Sequence, residues 1–312
     1  MPYELEKRLV VGVASSAVFD LSESDAVYRN EGEAAYRVHQ EKHRDNILSK
    51  GVAFSFVKRL LSLNDLSEDP QNDPLVEVVL LSRNDPETGL RVMNSIRHYG
   101  LGMTRAIFLQ GRSPYAYIPA LNISLFLSAN ESDVSEAIAA GYPAGMVMDS
   151  VARDDDEAEL RIAFDFDGVV IDDEAESVYQ QSRDVEAFHR HEQQHALTPH
   201  NPGPLAEFLK RIAVIQRVEA EKKAADGAYV DRLRVSIVTA RNAPSHERVV
   251  NTLKSWGIML NEAFFLGGIE KSKVLGVLKP HIFFDDQKGH LESASGVTPS
   301  VHIPFGVANR PG

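Results

Sequence analysis

The sequence predicts an α/β fold of two Rossmann-like lobes, each a parallel sheet flanked by helices. Three observations carry this expectation. Short apolar, β-rich runs alternate with amphipathic helical runs, as in strands joined by crossover helices. The second half of the chain echoes the first in the same order. A pair of closely spaced aspartates directly follows an apolar run, where open α/β sheets place their ligand sites. The 312 residues suffice for two domains of ordinary size.

The internal echo runs through five blocks. VYRNEGEAAYRVHQEKH (27–43) resembles VYQQSRDVEAFHRHEQQH (178–195) with one inserted residue, and VVLLSRNDP (78–86) resembles VSIVTARNAP (235–244). RVMNSIRHYG (91–100) parallels RVVNTLKSWG (248–257), AIFLQG (106–111) parallels AFFLGG (263–268), and ISLFLSANE (123–131) parallels HIFFDDQK (281–288). Five blocks in one order point to a tandem duplication. The lobes are expected at 1–150 and 151–312, joined in the acidic, solvated stretch DSVARDDDEAE (149–159). In the second lobe, strands are expected near 160–166, 233–239, 263–267 and 281–285. Helices are expected near 174–196, 203–224, 244–256 and 270–278. The helical segment at about 172–230 is too long for a simple crossover and predicts a helical cap over the strand ends.

Composition narrows the function classes. Hydrophobic residues make up 43% and charged residues 25%, the profile of a soluble globular protein. The 45 acidic residues exceed the 33 basic ones, for a net charge of −12, which argues against polymeric nucleic acid or an anionic membrane as partner. A small anionic substrate remains compatible, because a metal ion and a lysine can reverse the sign locally. The chain has no cysteine, which excludes disulfide and thiolate chemistry. No apolar stretch reaches the roughly 20 residues of a membrane helix, and the first residues do not read as a signal peptide. A cytoplasmic location is the resulting expectation.

The chemistry concentrates in the second half. In AFDFDGVVIDDE (163–174), Asp165 and Asp167 stand two positions apart at a strand end, where their mutual repulsion calls for a cation or hydrogen-bond donors. Gly168 suits a tight turn there. Thr239 ends the run VSIV and precedes Ala240 and Arg241, Lys271 follows FFLGGIE, and Asp285 and Asp286 end HIFF. These groups suffice for phosphoryl transfer. One carboxylate can attack phosphorus, a second can protonate the leaving oxygen, and a hydroxyl and a lysine can hold the phosphoryl oxygens. Aspartates can also hold a magnesium ion against the developing charge.

Asp165-Phe166-Asp167-Gly168-Val169-Val170, Thr239, Lys271 and Asp285-Asp286 resemble, in order, the four motifs of the haloacid dehalogenase-like phosphohydrolase superfamily. FDFDGVVIDDEAE, VTARNAP, FFLGGIEK and PHIFFDDQ are more specifically similar to the cytosolic 5′-nucleotidase type I family, through most of the chain. The resemblance implies hydrolysis of nucleoside 5′-monophosphates through an aspartyl-phosphate. By it, Asp165 is the nucleophile and Asp167 the general acid and base. Thr239 and Lys271 bind phosphate, with Ala240 and Arg241 on the substrate side. Mg²⁺ is held by Asp165, Asp167 through its carbonyl, and Asp285 or Asp286. Lys273 competes with Lys271, whose GG-x-x-K spacing the family favours. The aspartate at 167 suits a phosphatase or phosphomutase, since a halide leaving group needs no acid. Other readings are a phosphatase of another small ester, such as a sugar phosphate, and a nucleotide sensor without turnover.

The first half carries none of this chemistry. Ala14-Ser15-Ser16 stand for Asp165-Phe166-Asp167, Leu81 for Thr239, Pro114 for Lys271, and Ser128-Ala129 for Asp285-Asp286. A structural or substrate-shaping partner lobe is expected, with room for a homo-oligomer surface. HEQQH (191–195) fits a zinc-binding H-E-x-x-H helix. The parallel HQEKH (39–43) keeps both histidines without that glutamate, so an architectural role is expected. Asp172, Asp173 and Glu174 are expected to cap the following helix rather than line the site. Tyr179 and Phe188 are expected in helix packing.

Overall fold

The computed structural model describes residues 4–152, 158–182 and 184–309, with the side chains of 179–182 left out. The expected acidic joint therefore lies partly outside the described residues, as does the Tyr179 side chain. The chain divides into two compact units, Met1–Val147 and Met148–Gly312.

The first unit contains strands β1 (Leu9–Val13), β2 (Val76–Ser82), β3 (Arg105–Phe108), β4 (Leu125–Ser128) and β5 (Ala144–Val147). They pair in parallel in the order β3-β2-β1-β4-β5. Helices α1 (Ser15–Val18), α2 (Ser22–Lys42), α3 (Phe54–Ser62), α4 (Leu90–His98), α5 (Tyr117–Ala120) and α6 (Glu131–Ala139) connect them. Helix α2 is broken at Gly32, where φ is +83°, into two arms.

The second unit contains β6 (Leu160–Phe164), β7 (Leu233–Thr239), β8 (Glu262–Phe265), β9 (Ile282–Asp285) and β10 (Ser300–His302). Its parallel order, β8-β7-β6-β9-β10, has the topology of the first. Helices α7 (Glu174–Ser182), α8 (Val185–Gln194), α9 (Ala206–Ala225), α10 (His246–Ser255), α11 (Lys271–Leu278) and α12 (Lys288–Ala294) complete it. Strands β6 and β9 are buried throughout, as continuous apolar runs in a two-faced parallel sheet should be. Phe164, Phe208 and Phe284 form an aromatic core, with centroids 5.2 to 6.2 Å apart. Each ring removed from water contributes about 1.5–3 kcal/mol.

The expected insertion at 172–230 needs correction. Phe208 of α9 packs on Phe164 and Phe284, so α9 is the ordinary crossover helix on the sheet. Only α7 and α8 are additional. The strand expected at 160–166 ends at Phe164, because Gly168, with φ +68°, turns the chain back immediately afterwards. Strand β10 and helix α12 extend the expected element set.

The two units repeat the same long-range contacts. Leu48 N donates to Ser95 Oγ at 3.0 Å, and His200 N to Thr252 Oγ1 at 3.1 Å. Arg91 Nε and Arg248 Nε each donate at 3.0 Å to a carbonyl, of Asn46 and Thr198 respectively. Gly51 N reaches Val18 O at 2.8 Å, and Gly203 N reaches Val170 O at 2.9 Å. The register corrects one correspondence. Val13 pairs with Leu80 as Phe164 pairs with Ile237, which places Ser82, not Leu81, at the position of Thr239. Ser82 Oγ accepts from Asn84 N at 3.1 Å, and Thr239 Oγ1 accepts from Arg241 N at 3.2 Å.

Candidate active site

In the second unit the chain leaves β6 to build the strands on one side, then crosses to β9 on the other. The crevice of such a sheet opens at the carboxyl ends of these two strands, β6 and β9. Asp165 follows β6 immediately, and its backbone N–H donates to Phe284 O at 2.7 Å. Asp285 ends β9, and Asp286 follows it. Helix α11 starts at Lys271, whose side chain enters the same crevice. Its Nζ lies 2.9 Å from Asp165 Oδ1 and 2.7 Å from Asp285 Oδ2. All four residues are buried, none more than 4% exposed.

The charges here do not balance. Three carboxylates share one ammonium. Asp285 is well satisfied: besides Lys271 it accepts from Gln287 N at 2.8 Å, with His290 Nδ1 3.3 Å away. Burial opposes its ionisation, but Lys271 and His290 hold its carboxyl below the ordinary value. Asp286 is the opposite case. Its Oδ1 is buried with no hydrogen-bond partner. Burial, then the charges of Asp165 and Asp285, push its carboxyl up to about 9. Burial likewise raises Asp165, against the pull of Lys271. A divalent cation beside Asp165 and Asp286 fits these residues: it would balance the surplus charge and give the orphaned oxygen a partner. Hard carboxylate oxygens are the donor set magnesium prefers.

The Asp286 position is fixed from behind. Its carbonyl accepts from His302 Nε2 at 3.0 Å and from Asn309 Nδ2 at 2.9 Å. Gly168 approaches from the other side, where a Cβ would lie 2.6 Å from Asp286 Oδ2. The turn after β6 therefore needs glycine twice, for its positive φ and for this approach.

Asp167 lies apart from that cluster. Arg241 grips it in a bidentate pair, Nη2–Oδ1 at 2.7 Å and Nε–Oδ2 at 2.8 Å. The same guanidinium pairs with Glu192 on α8 and lies over the rings of Phe166 and Phe188, 5.4 and 5.2 Å from their centroids. Glu192 also meets Arg248 Nη1 at 2.8 Å and His200 Nε2 at 3.2 Å. Burial opposes its charge, but His200 and Arg241 lower its carboxyl to about 2. Glu192 is thus the ionised centre of a buried network tying α8 to β7 and α10. Thr239 is buried at the end of β7, and Ala240 beside it is exposed.

Of the residues singled out from sequence, Asp165, Lys271, Asp285 and Asp286 converge in one crevice, whereas Asp167 is held by Arg241. Arg241, expected on the substrate side, faces carboxylates of the protein itself. Lys273 is exposed on α11 and lines a separate cavity with Arg161 and Arg234, whereas Lys271 meets Asp165. HEQQH is wired as architecture. His191 Nε2 lies 3.1 Å from Glu174 Oε1, His195 Nδ1 donates to His191 O at 2.8 Å, and Glu192 points into the arginine network. At the start of α7, Asp172 Oδ1 accepts from Glu174 N at 3.2 Å, whereas Asp173 accepts from Val307 N at 2.8 Å and Glu174 meets His191 and Arg248. Glu192, His290 and His302 were not picked out as site residues, since each acts through partners remote in sequence. In the first unit a cavity of ≈560 Å³ opens beside Ala14, Ser15 and Ser16, and its buried aspartates, Asp85 and Asp133, are paired with Arg37 and Arg83.

Comparison with known proteins adds the following. A family model described as 5′-nucleotidase matches residues 1–310. The chain is 33% identical over 298 residues to human cytosolic 5′-nucleotidase 1B, covering 94% of this chain and 48% of that protein. It thus spans about half the length of that curated relative. Among solved structures, histidinol dehydrogenase from Elizabethkingia anophelis aligns over 90% of this chain and 74% of its own. Its TM-score of 0.24 at 8% identity carries no argument. No helix among the described residues is long and apolar enough to cross a membrane.

Proposed function

Because this chain belongs to the 5′-nucleotidase family, we propose that its second unit hydrolyses nucleoside 5′-monophosphates to nucleoside and phosphate through an aspartyl-phosphate. The observation that carries the reading is the convergence of Asp165, Lys271 and the unpartnered Asp286 at the crevice between β6 and β9. Asp165 Oδ attacks phosphorus as the ester P–O bond breaks, and the leaving 5′-oxygen takes a proton from Asp167. Water then attacks the acyl-phosphate and gives its proton to Asp167, releasing phosphate and restoring Asp165. Lys271 neutralises phosphoryl oxygens, and the Thr239 hydroxyl orients one of them.

Asp165, Asp286 and the carbonyl of Asp167 would hold Mg²⁺, with Asp285 positioning Lys271 instead. When bound, the ion supplies charge neutralisation at the phosphoryl oxygens. The Arg241 clamp has a consequence for the acid. Both carboxylate oxygens of Asp167 are engaged by Arg241, so Asp167 is free to turn to the leaving oxygen only once Arg241 lets go. The pair α7–α8, carrying Glu192, acts as the cap that governs this exchange. The first unit is read as a duplicated lobe that has lost the chemistry.

The test is phosphate release from a panel of nucleoside 5′-monophosphates and sugar phosphates, with Mg²⁺ or chelator, beside Asp165→Asn. Mg²⁺-dependent release from nucleotides that falls by three orders of magnitude or more in the variant supports the reading. Release from sugar phosphates alone would replace the substrate class. A folded protein that binds nucleotide without releasing phosphate would be a sensor, contrary to the proposal.

A further inference from the structure

The first unit contains a cluster of metal-binding side chains that the proposed hydrolysis does not use. We infer that Glu23, His39 and His43 form a site for a borderline divalent transition metal, Zn²⁺ being the natural probe, which staples together the two arms of helix α2. A carboxylate oxygen of Glu23 and ring nitrogens of His39 and His43 all lie within 4.8 Å of one another. The histidines are four residues apart on one arm, with ring centroids 4.2 Å apart, the spacing by which a helix presents two imidazoles to one ion. Glu23 belongs to the other arm, before the break at Gly32.

The hydrogen bonding prepares both rings. His43 Nδ1 lies 2.8 Å from the His39 carbonyl oxygen, which can only accept, so Nδ1 carries the proton and Nε2 keeps its lone pair. Metal-ligating histidines are commonly held in this way, by a carbonyl behind the ring. His39 Nε2 is buried and has no hydrogen-bond partner. Its nearest carboxylate oxygen, on Glu23, is 4.0 Å away, beyond hydrogen-bonding reach. An orphaned nitrogen facing an exposed carboxylate has the arrangement a cation would complete. Ligand bonds of about 2.0–2.1 Å need the flexible Glu23 side chain to close in by roughly 1 Å.

The second unit shows the same frame wired shut. Its paired histidines, His191 and His195, also lie side by side, with ring centroids 4.4 Å apart, and His195 Nδ1 again meets the carbonyl four residues back. There His191 Nε2 is taken by Glu174 at 3.1 Å, and Arg248 holds the same carboxylate at 3.4 Å. In the first unit the corresponding arginine, Arg91, turns to the Asn46 carbonyl and Ser24 Oγ. The imidazole that the protein satisfies in one copy is left open in the other. Two imidazoles and one carboxylate favour Zn²⁺ or Co²⁺ over Mg²⁺, which prefers oxygen donors, and leave a fourth position for water.

The test is Co²⁺ and Zn²⁺ titration of the full chain in excess Mg²⁺, reading the visible absorption of tetrahedral Co²⁺ and its displacement by Zn²⁺. One equivalent is expected to bind, weakened on the order of 100-fold in His39→Ala and about tenfold in Glu23→Gln. His290→Ala, in the hydrolytic crevice, should leave the band intact. Glu23 is solvent-exposed, so Glu23→Gln remains informative should His39→Ala fail to fold. No Co²⁺ binding by the wild-type chain, or unchanged binding in Glu23→Gln and a folded His39→Ala, would overturn the inference. Neither outcome depends on whether the second unit hydrolyses nucleotides.

Discussion

Asp285 and Asp286 are adjacent, yet their surroundings assign them different work. Asp285 has Lys271, His290 and a backbone N–H, whereas Asp286 has a buried oxygen with nothing to bind. Asp286→Asn is therefore expected to raise the Mg²⁺ concentration for half-maximal turnover by roughly tenfold or more. Asp285→Asn should instead act on phosphate binding through a misplaced Lys271, which a metal titration at saturating substrate separates. Glu192 makes a pH prediction. Its folded pKa, about 2, lies below its ordinary 4.5, so its stabilisation is complete above about pH 4.5 and is lost as pH falls toward 2. That shift corresponds to about 3 kcal/mol. Glu192→Gln should lower the unfolding free energy by a similar amount at pH 7, and the gap from wild type should close with acid in denaturant titrations. The sequence exposed Asp165, Lys271 and the Asp285-Asp286 pair because each sits beside its own strand or helix end. It hid Glu192's role, because Arg241 and Arg248 reach it from across the fold.

At the scale of elements, the turn after β6 is the most constrained piece. A side chain at Gly168 would meet Asp286 at 2.6 Å in a backbone conformation L-residues avoid. Gly168→Ala should cost about 1–3 kcal/mol in backbone strain and impair turnover, checked by melting temperature and phosphate release on the same sample. The runs of β6, β7 and β9 were legible because a strand buried on both faces is mostly apolar. Strand β10 was not, since three residues, Ser300–His302, carry too little pattern. The 172–230 insertion was read as one block because α9 is helical like α7 and α8. Only the contact of Phe208 with Phe164 and Phe284 tells the crossover helix from the pair over the site.

At the scale of the whole chain, two units of one topology carry different wiring. Ser82 and Thr239 occupy matching strand ends and accept matching backbone hydrogen bonds, but only Thr239 belongs to the unit that carries Asp165, Lys271 and Asp286. Thr239→Ala is expected to slow turnover roughly 10²-fold, by analogy with loss of one transition-state donor. Ser82→Ala should leave turnover unchanged. The likeness between the halves was visible in five sequence blocks, while the matching of strand positions required strand pairing, because a one-residue slip in VVLLSRNDP is invisible without it.

Hydrolysis through the second unit requires that Asp165 become covalently phosphorylated during turnover. Rapid acid quench with a ³²P-labelled nucleoside 5′-monophosphate, followed by peptide mapping, tests it most directly. Label is expected on the peptide carrying Asp165, lost in Asp165→Asn and chased by unlabelled substrate. Label on another residue, or phosphate release undiminished in Asp165→Asn, would contradict it.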